Sequence, residues 1–206
     1  MAFDDSNIWK DNWHETKRHF VQWWGREGFL INSWNSYELS RPHAQVADPG
    51  EAASLEQLYT DAEWRARHTR WQLSRRAYPL DLFPLANTDI GPGSLGLLLG
   101  CEPTYAEDTI WLDPVITDPD TFGKLRFDGE SRWWKVHEAV LEANVEASEG
   151  NYFVGCPDFV EGLDTLAALR GSEPLMFDLI ERPEWVKEKL AEINQALFDA
   201  YDRVYE

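Results

Sequence analysis

The sequence predicts an α/β fold with parallel strands, namely the N-terminal portion of a TIM-type (β/α)8 barrel preceded by helices. From residue 80 onward, predicted strands alternate with predicted helices, which is the order of βα units in a parallel sheet. The chain has 206 residues and few strong strand patterns, whereas a closed barrel takes eight strands and about 250 residues. We therefore expect an N-terminal helical region over residues 1–79 and the first βα units of an incomplete barrel over residues 80–206.

Two helices are expected in the N-terminal region. Tryptophan and phenylalanine residues recur at helical spacing between Ser6, a suitable N-cap, and Trp24. Residues 29–34 (FLINSW) are largely apolar, which favours a strand or an extended segment. Ser54 and Gln57 form the S-x-x-Q pattern of a capping box, in which each side chain satisfies a backbone donor of the first helical turn. A second helix is therefore predicted to begin at Ser54.

The region after residue 79 has a regular succession of predicted elements. They are a strand over 80–90, a short helix over 95–99 capped by Ser94, an extended segment over 109–116, a helix over 131–149, a strand over 152–158, a helix over 163–170 and a final helix from Pro183. The final helix has the strongest amphipathic pattern of the chain, with apolar residues every three or four positions from Val186 to Val204. We expect that stripe to pack on the outside of barrel strands.

Charge and composition exclude several classes of function. Lys and Arg number 19 against 37 Asp and Glu, so the net charge is −18, and such a chain repels nucleic acids and anionic membranes. The N-terminus has no apolar signal segment, no apolar run approaches the length of a membrane span, and the two cysteines suit a reducing compartment. These features predict a soluble cytoplasmic protein.

Arginines cluster locally between Arg65 and Arg76, on the second predicted helix. A solvated helical face that balances an acidic protein explains this cluster better than an anion-binding surface.

Residues 91–96 (GPGSLG) match the G-x-G-x-x-G pattern of dinucleotide sites. Pro92 removes a backbone donor there and the following helix is short, so turns and packing are the favoured explanation.

Polar residues end the two best predicted strands. Asp89 ends the first, and Cys156 and Asp158 end the second. Because α/β folds gather their chemistry at the carboxyl ends of parallel strands, we expect these side chains to share a pocket. Asp89 is the candidate catalytic residue, either as a hydrogen-bond acceptor for an N–H group or as a general base, with a turn cap as the alternative.

The other candidates are predicted to bind substrate. Asn87 and Gly155 lie beside the strand ends and, with Cys156 and Asp158, make up the candidate substrate-binding set. Cys156 is either a small buried residue, which is the favoured interpretation, or a thiolate ligand or nucleophile. None of the five histidines forms a metal-binding pair such as H-E-x-x-H, so no metal site is predicted within this chain.

Three stretches resemble the uroporphyrinogen decarboxylase superfamily. They are NTDIGPGSLGLLLGCEP (87–103), GNYFVGCPDFVEGLDTLAALRG (150–171) and DLIERPEWVKEKLAEI (178–193). The superfamily contains cofactor-free tetrapyrrole decarboxylases and zinc-dependent methyltransferases that work with corrinoid proteins or thiols. The resemblance implies an enzyme with a barrel fold and a small-molecule substrate. It also puts Asp89 at the position of the aspartate that contacts pyrrole N–H groups in the decarboxylases.

One departure from the decarboxylases decides the order of the functional hypotheses. Their N-terminal R-x-x-x-R segment, which holds substrate carboxylates, has no counterpart in GFLINSWNSYELSR (28–41). Group transfer of the methyltransferase type is therefore the leading hypothesis and tetrapyrrole decarboxylation the alternative. A third hypothesis is a non-catalytic fragment or binding module whose tryptophan-rich surface pairs with another chain.

The resemblance also bears on cofactors and partners. It implies no cofactor within this segment, zinc ligands in the C-terminal half of the barrel beyond it, and a corrinoid protein as a partner. An open half-barrel leaves unpaired strand edges and exposed apolar surface. We therefore expect either self-association or a longer parent chain.

Overall fold

A computed structural model describes residues 7–160 and 162–206 as a mixed assembly of helices and short strands. In chain order the elements are α1 (Trp13–Trp24), β1 (Tyr37–Glu38), α2 (Leu55–Thr60), α3 (Ala62–Ser74), β2 (Arg76–Ala77), β3 (Leu85–Ala86), α4 (Ser94–Leu98), β4 (Glu102–Tyr105), β5 (Ile110–Asp113), α5 (Arg132–Ser148), β6 (Phe153–Val154), α6 (Gly162–Arg170), α7 (Ser172–Glu181) and α8 (Pro183–Tyr205). The strands of this described part form three two-stranded pairs and no closed barrel. None of its helices combines the length and the apolar character that crossing a bilayer requires.

The chain divides into two compact units. The first consists of the described residues up to 52, residues 62–87 and residues 140–155. The second consists of residues 53–61, residues 88–139 and the described residues from 156 onward. The division falls within α5, after residue 139.

Aromatic side chains form the core of the first unit. Trp9 and Tyr152 are buried with their ring centroids 5.8 Å apart, and the backbone N–H of Trp9 donates to Asn151 O at 2.8 Å. Trp13 packs on Phe153 at a centroid distance of 5.1 Å. α1 begins at Trp13, later than expected, because residues 7–12 form turns that carry Trp9 into this core. The proposed N-cap Ser6 lies outside the described residues.

Two strand pairs belong to the first unit. β1 and β2 are antiparallel, whereas β3 and β6 are parallel, with Leu85 opposite Phe153. The predicted parallel relationship of these two strands is confirmed, but each is two residues long. Leu80 adopts a left-handed φ of 56°, and Pro84 offers no N–H to a ladder, so the strand cannot extend over 80–90. Residues 29–34 form no strand, so of the two alternatives for them the extended segment remains.

The helix predicted from Ser54 is interrupted. Ser54 is an N-cap that accepts a hydrogen bond from Gln57 N–H at 3.1 Å, as predicted. α2 then ends because Asp61 has an extended backbone with ψ of 99°, and α3 begins at Ala62.

α4 and a hairpin lie within the second unit. Every residue of α4 is buried, and the N-cap is Gly93, with φ of 72°, rather than the expected Ser94. β4 and β5 pair antiparallel, with Tyr105 opposite Ile110. The extended segment predicted over 109–116 therefore exists in part, but its partner is the preceding strand and not a parallel one.

Three helices complete the second unit. α8 packs against α6 and α7, with Val186 and Ile193 buried. The helices predicted over 131–149, over 163–170 and from Pro183 are confirmed as α5, α6 and α8. The stripe of α8 was expected on barrel strands, and its main contacts are with helices instead. α7 was not predicted, and much of its apolar surface is exposed, as at Ile180 with 82%.

Candidate functional site

Asp89 and Asp158 meet in the second unit. The backbone N–H of Asp158 donates a short hydrogen bond to Asp89 Oδ1, and Asp158 O accepts from Ser94 N–H at 3.0 Å. Asp89 is half-buried and the side chain of Asp158 is exposed. The Asp89 carboxylate is thus positioned by a backbone donor from the segment after β6, so two of the predicted site residues lie together. The donor belongs to residue 158 and not to the segment at Gly91, so this bond is not the helix or turn cap that was the alternative for Asp89.

Cys156 belongs to the same group of residues. Tyr201, a residue of α8, carries a hydroxyl close enough to this thiol to lower its pKa. Burial raises the pKa of Cys156, the Tyr201 hydroxyl lowers it and the negative charge of Asp89 raises it, with a net rise. Because the thiolate is the reactive form, a raised pKa disfavours a nucleophile or metal ligand at Cys156. Cys156 is half-buried, and both of its interpretations stay predictions.

Aromatic rings extend this group along α8. The ring of Phe159 lies 6.1 Å from that of Tyr201, and Tyr201 lies 5.9 Å from Tyr205. Phe159 is buried, whereas Tyr201 is 41% exposed. Asp89, Cys156 and Tyr201 thus combine a carboxylate, a thiol and a phenol, which can accept and donate hydrogen bonds to a polar small molecule.

The sequence did not single out Tyr201. It falls on the amphipathic stripe of α8, where its spacing indicated packing. Only its partial exposure and its influence on the pKa of Cys156 distinguish it from the packed residues of that stripe.

Asn87 and Gly155 lie in the first unit. Asn87 is exposed, and its carbonyl accepts from Arg65 Nη2 at 3.4 Å. The N–H of Gly155 donates to Ala86 O at 3.0 Å, which continues the ladder of β3 and β6. A Cβ at Gly155 would lie 3.0 Å from that same oxygen, so a backbone contact explains the glycine. Their contact with substrate remains a prediction.

The glycines of the GPGSLG segment have structural roles. Gly91 has φ of 70°, and a Cβ there would overlap Ile110 Cγ1. A Cβ at Gly96 would lie 2.6 Å from Leu112 Cδ1. Turn geometry and close packing therefore explain this segment, as the sequence favoured.

Two of the clustered arginines, Arg70 of α3 and Arg75 directly after it, contact other groups of the first unit. Arg70 donates to Ala147 O and, at 2.6 Å, to Glu149, and it lies 5.3 Å above the ring of Trp9. Arg75 lies 5.3 Å above the ring of Trp71. A guanidinium that already satisfies a carboxylate, a carbonyl or an aromatic face is a poor candidate for binding a substrate carboxylate. The expected solvated face therefore holds for the exposed Arg67 and Arg76, whereas Arg70 and Arg75 contact protein groups.

A groove of about 670 Å³ opens in the second unit beside β5 and α6. Trp111, Leu112 and Ala168 are among its mainly apolar lining residues, with the carboxylate of Asp164 at its edge. Its volume lies in the range of small-molecule pockets. Asp89, Cys156 and Asp158 are not among the residues that line it.

The described residues contain no group of three or more His, Cys, Asp or Glu side chains arranged to hold a metal ion. The residues that are present therefore do not make up a zinc site of the kind used by the methyltransferase branch. No family model matches the sequence, and neither the curated proteins nor the solved structures contain a match.

Proposed function

We propose that this chain forms the first βα units of a TIM-type barrel enzyme similar to the uroporphyrinogen decarboxylase superfamily. We propose further that the enzyme acts on a small molecule by group transfer of the methyltransferase type. The observation that carries the proposal is the hydrogen bond from Asp158 N–H to Asp89. Asp89 follows β3 by three residues and Asp158 follows β6 by four, and these two strands pair in parallel. Polar groups in such positions are where α/β enzymes bind ligands.

Asp89 is the residue to which we assign the chemistry. An aspartate carboxylate is ionised at neutral pH, so it can accept a hydrogen bond from a substrate N–H or O–H, or take up a proton from an attacking group. The bond from Asp158 N–H fixes one carboxylate oxygen and so orients the side chain. The charge of Asp89 and the hydroxyl of Tyr201 both act on the thiol of Cys156, and we propose that these two further polar side chains contact the substrate. Because the described residues hold no zinc site, we assign them no step that involves a metal.

Methyl transfer has better support than tetrapyrrole decarboxylation. A substrate with several carboxylates needs cationic partners, and the clustered arginines Arg70 and Arg75 already contact carboxylate, carbonyl or indole groups. The candidate site itself presents the carboxylates of Asp89 and Asp158, which repel anions.

The test compares two reactions in the natural protein that contains these residues. The protein is incubated with methylcobalamin carrying an isotopic label in its methyl group and with a simple thiol, and labelled thioether is measured. In parallel, uroporphyrinogen is supplied and released carbon dioxide is measured. We expect label transfer that Asp89→Asn reduces at least about 100-fold, the lower range for loss of a general acid or base. Asp108→Asn, which removes an exposed carboxylate between β4 and β5, is the matched control.

Each outcome of this test has a definite meaning. Carbon dioxide release without label transfer supports decarboxylation instead. Label transfer that is unchanged in Asp89→Asn removes Asp89 from the mechanism. The absence of both reactions contradicts the proposed function.

A further inference from the structure

Exposed apolar side chains are concentrated in one stretch of the first unit, at the end of α1 and in the segment that follows it. We call the side chains of Trp23, Trp24, Phe29, Ile31 and Trp34 the aromatic ribbon. Trp24 is 82% exposed, Phe29 74% and Trp34 102%. Monomeric proteins rarely leave apolar groups of this size together in water, and such surfaces mark sites of interaction.

The area of the ribbon is suited to a protein partner. An aromatic side chain can bury about 150–250 Å², so the three most exposed rings leave on the order of 400–600 Å² in water. Trp23 and Ile31, each nearly half exposed, add to this area. A standard interface buries about 800 Å² on each partner. The ribbon therefore supplies most of the surface that a modest dimer needs.

The charges of the residues around the ribbon indicate which partner it can bind. A second copy of a chain with a net charge of −18 is repelled unless the contact surface is locally balanced. Residues 13–37 contain three basic side chains (Lys17, Arg18, Arg26) and two acidic ones (Glu15, Glu27). This stretch is thus slightly basic within a strongly acidic protein.

The other large exposed apolar surface differs in charge. Met176, Phe177 and Ile180 of α7 are 65%, 59% and 82% exposed. Exposed Glu173 and Glu181 flank them in the same helix. Two copies of that surface would bring like charges together, which disfavours a symmetric contact.

We infer that the aromatic ribbon is the contact surface of a symmetric dimer, in which it packs on the same ribbon of a second copy. A two-fold axis places the same surface on both partners. Residue i of one copy then contacts residue j of the other, and residue j of the first copy contacts residue i of the second. Neighbouring Arg26 and Glu27 suit this arrangement, because Arg26 of each copy then pairs with Glu27 of the other. Arg26 also lines, with Trp23 and Trp24, an open depression of about 470 Å³ that can receive a ring from the second copy.

Sedimentation velocity of the whole chain between about 1 and 100 µM, a range that brackets micromolar affinity, tests this inference. We expect a reversible monomer–dimer equilibrium. Trp34→Ser, at a fully exposed position, should weaken the dimer at least about 10-fold, as loss of a central aromatic side chain does. Ile180→Ser on α7 is the matched control and should leave the equilibrium unchanged. Circular dichroism checks that each variant is folded.

Charge reversal provides a second, independent measurement. Arg26→Glu should weaken the dimer, and the double variant R26E/E27R should restore it, because the two-fold axis exchanges both charges. A wild-type protein that stays monomeric overturns the inference, as does a dimer lost in Ile180→Ser and kept in Trp34→Ser. Binding of the monomer to vesicles of anionic phospholipid, lost in Trp34→Ser, would also overturn it by showing a membrane surface as the partner.

Discussion

Asp81 and Ile31 exchange two hydrogen bonds. The backbone N–H of Asp81 donates to Ile31 O at 2.9 Å, and the backbone N–H of Ile31 donates to Asp81 Oδ2 at 3.0 Å. The other carboxylate oxygen of Asp81 lies 2.7 Å from His19 Nδ1. Asp81 is buried, so this reciprocal contact anchors the segment that carries the aromatic ribbon.

The contacts of Asp81 make the stability of the first unit depend on pH. Burial alone would raise the pKa of Asp81, but the hydrogen bond from Ile31, the contact with His19 and the charge of Lys10 hold it below its usual value. A carboxyl group whose pKa is lower in the folded state stabilises the fold above its unfolded pKa, near 3.9, and this contribution is lost as the pH falls through the folded value.

We expect Asp81→Asn to lower the free energy of unfolding at pH 7 by about 1–3 kcal/mol, since a buried hydrogen-bonded charge is lost. Urea titrations at pH 7 and over the range from about 5 to 2.5 measure both effects. The variant should lose less stability on acidification than the wild type does. Glu51→Gln, at an exposed carboxylate, is the control and should follow the wild-type pH profile. An equally steep acid loss in Asp81→Asn would assign that loss to other groups.

Gly91 and Gly93 form a matched pair for testing how the turn before α4 is packed. Both have φ near +70°, where a residue with a Cβ is strained by about 1–2 kcal/mol. A Cβ at Gly91 would overlap Ile110, whereas a Cβ at Gly93 meets nothing within 4 Å. Gly91→Ala should therefore destabilise the protein by about 1–3 kcal/mol more than Gly93→Ala, the usual effect of overpacking. Equal losses in thermal unfolding would mean that Ile110 can move aside.

The reactivity of Cys156 tests whether Asp89 and Tyr201 surround it. Removal of the negative charge in Asp89→Asn should lower the pKa of Cys156, whereas loss of the hydroxyl in Tyr201→Phe should raise it. The rate of thiol alkylation as a function of pH measures this pKa. Cys101 does not interfere, because it is fully buried and its pKa is raised to about 12, first by burial and then by Asp113 and Glu102. Asp108→Asn should leave the profile unchanged, and a shift of the same size there would indicate a general charge effect.

Long periodic elements could be predicted from the sequence, and short ones only in part. α5 and α8 follow from apolar residues at helical spacing. β4 was missed because its Glu102-Pro103 start argues against a strand, and β4 becomes a strand only through its pairing with β5. The predicted strand over 80–90 fails beyond two residues because of local backbone constraints at Leu80 and Pro84.

The candidate site, like the fold, could be predicted from the sequence only in part. The contact between Asp89 and Asp158 could be anticipated, because both residues follow strands that were expected to be parallel neighbours. Tyr201 lowers the pKa of Cys156 although the two residues are 45 positions apart, and no local pattern encodes this relationship. Packing of α8 brings Tyr201 to that position, so tertiary structure is needed to find it.

Lys189 and Glu192 form a buried ion pair in α8. Lys189 Nζ lies 2.9 Å from Glu192 Oε2 and donates to Gly123 O at 3.0 Å, and Glu192 Oε2 accepts from Leu125 N–H at 2.9 Å. The side chains are 3% and 8% exposed. The pair therefore ties residues 123–125 to α8, and removal of Glu192 leaves the buried ammonium of Lys189 with only the exposed carboxylate of Glu188 as counterion.

We expect Glu192→Gln to destabilise the protein by about 3–5 kcal/mol, the loss typical of a broken buried pair. Glu188→Gln is the matched control, because Glu188 lies 3.6 Å from the same Lys189 but is 64% exposed, so its removal should cost less than about 1 kcal/mol. The double variant K189M/E192Q should be more stable than Glu192→Gln alone, because it also removes the uncompensated charge. Denaturant unfolding of the three variants measures these differences. If the double variant is the least stable of the three, the bonds to Gly123 and Leu125 matter more than the charge.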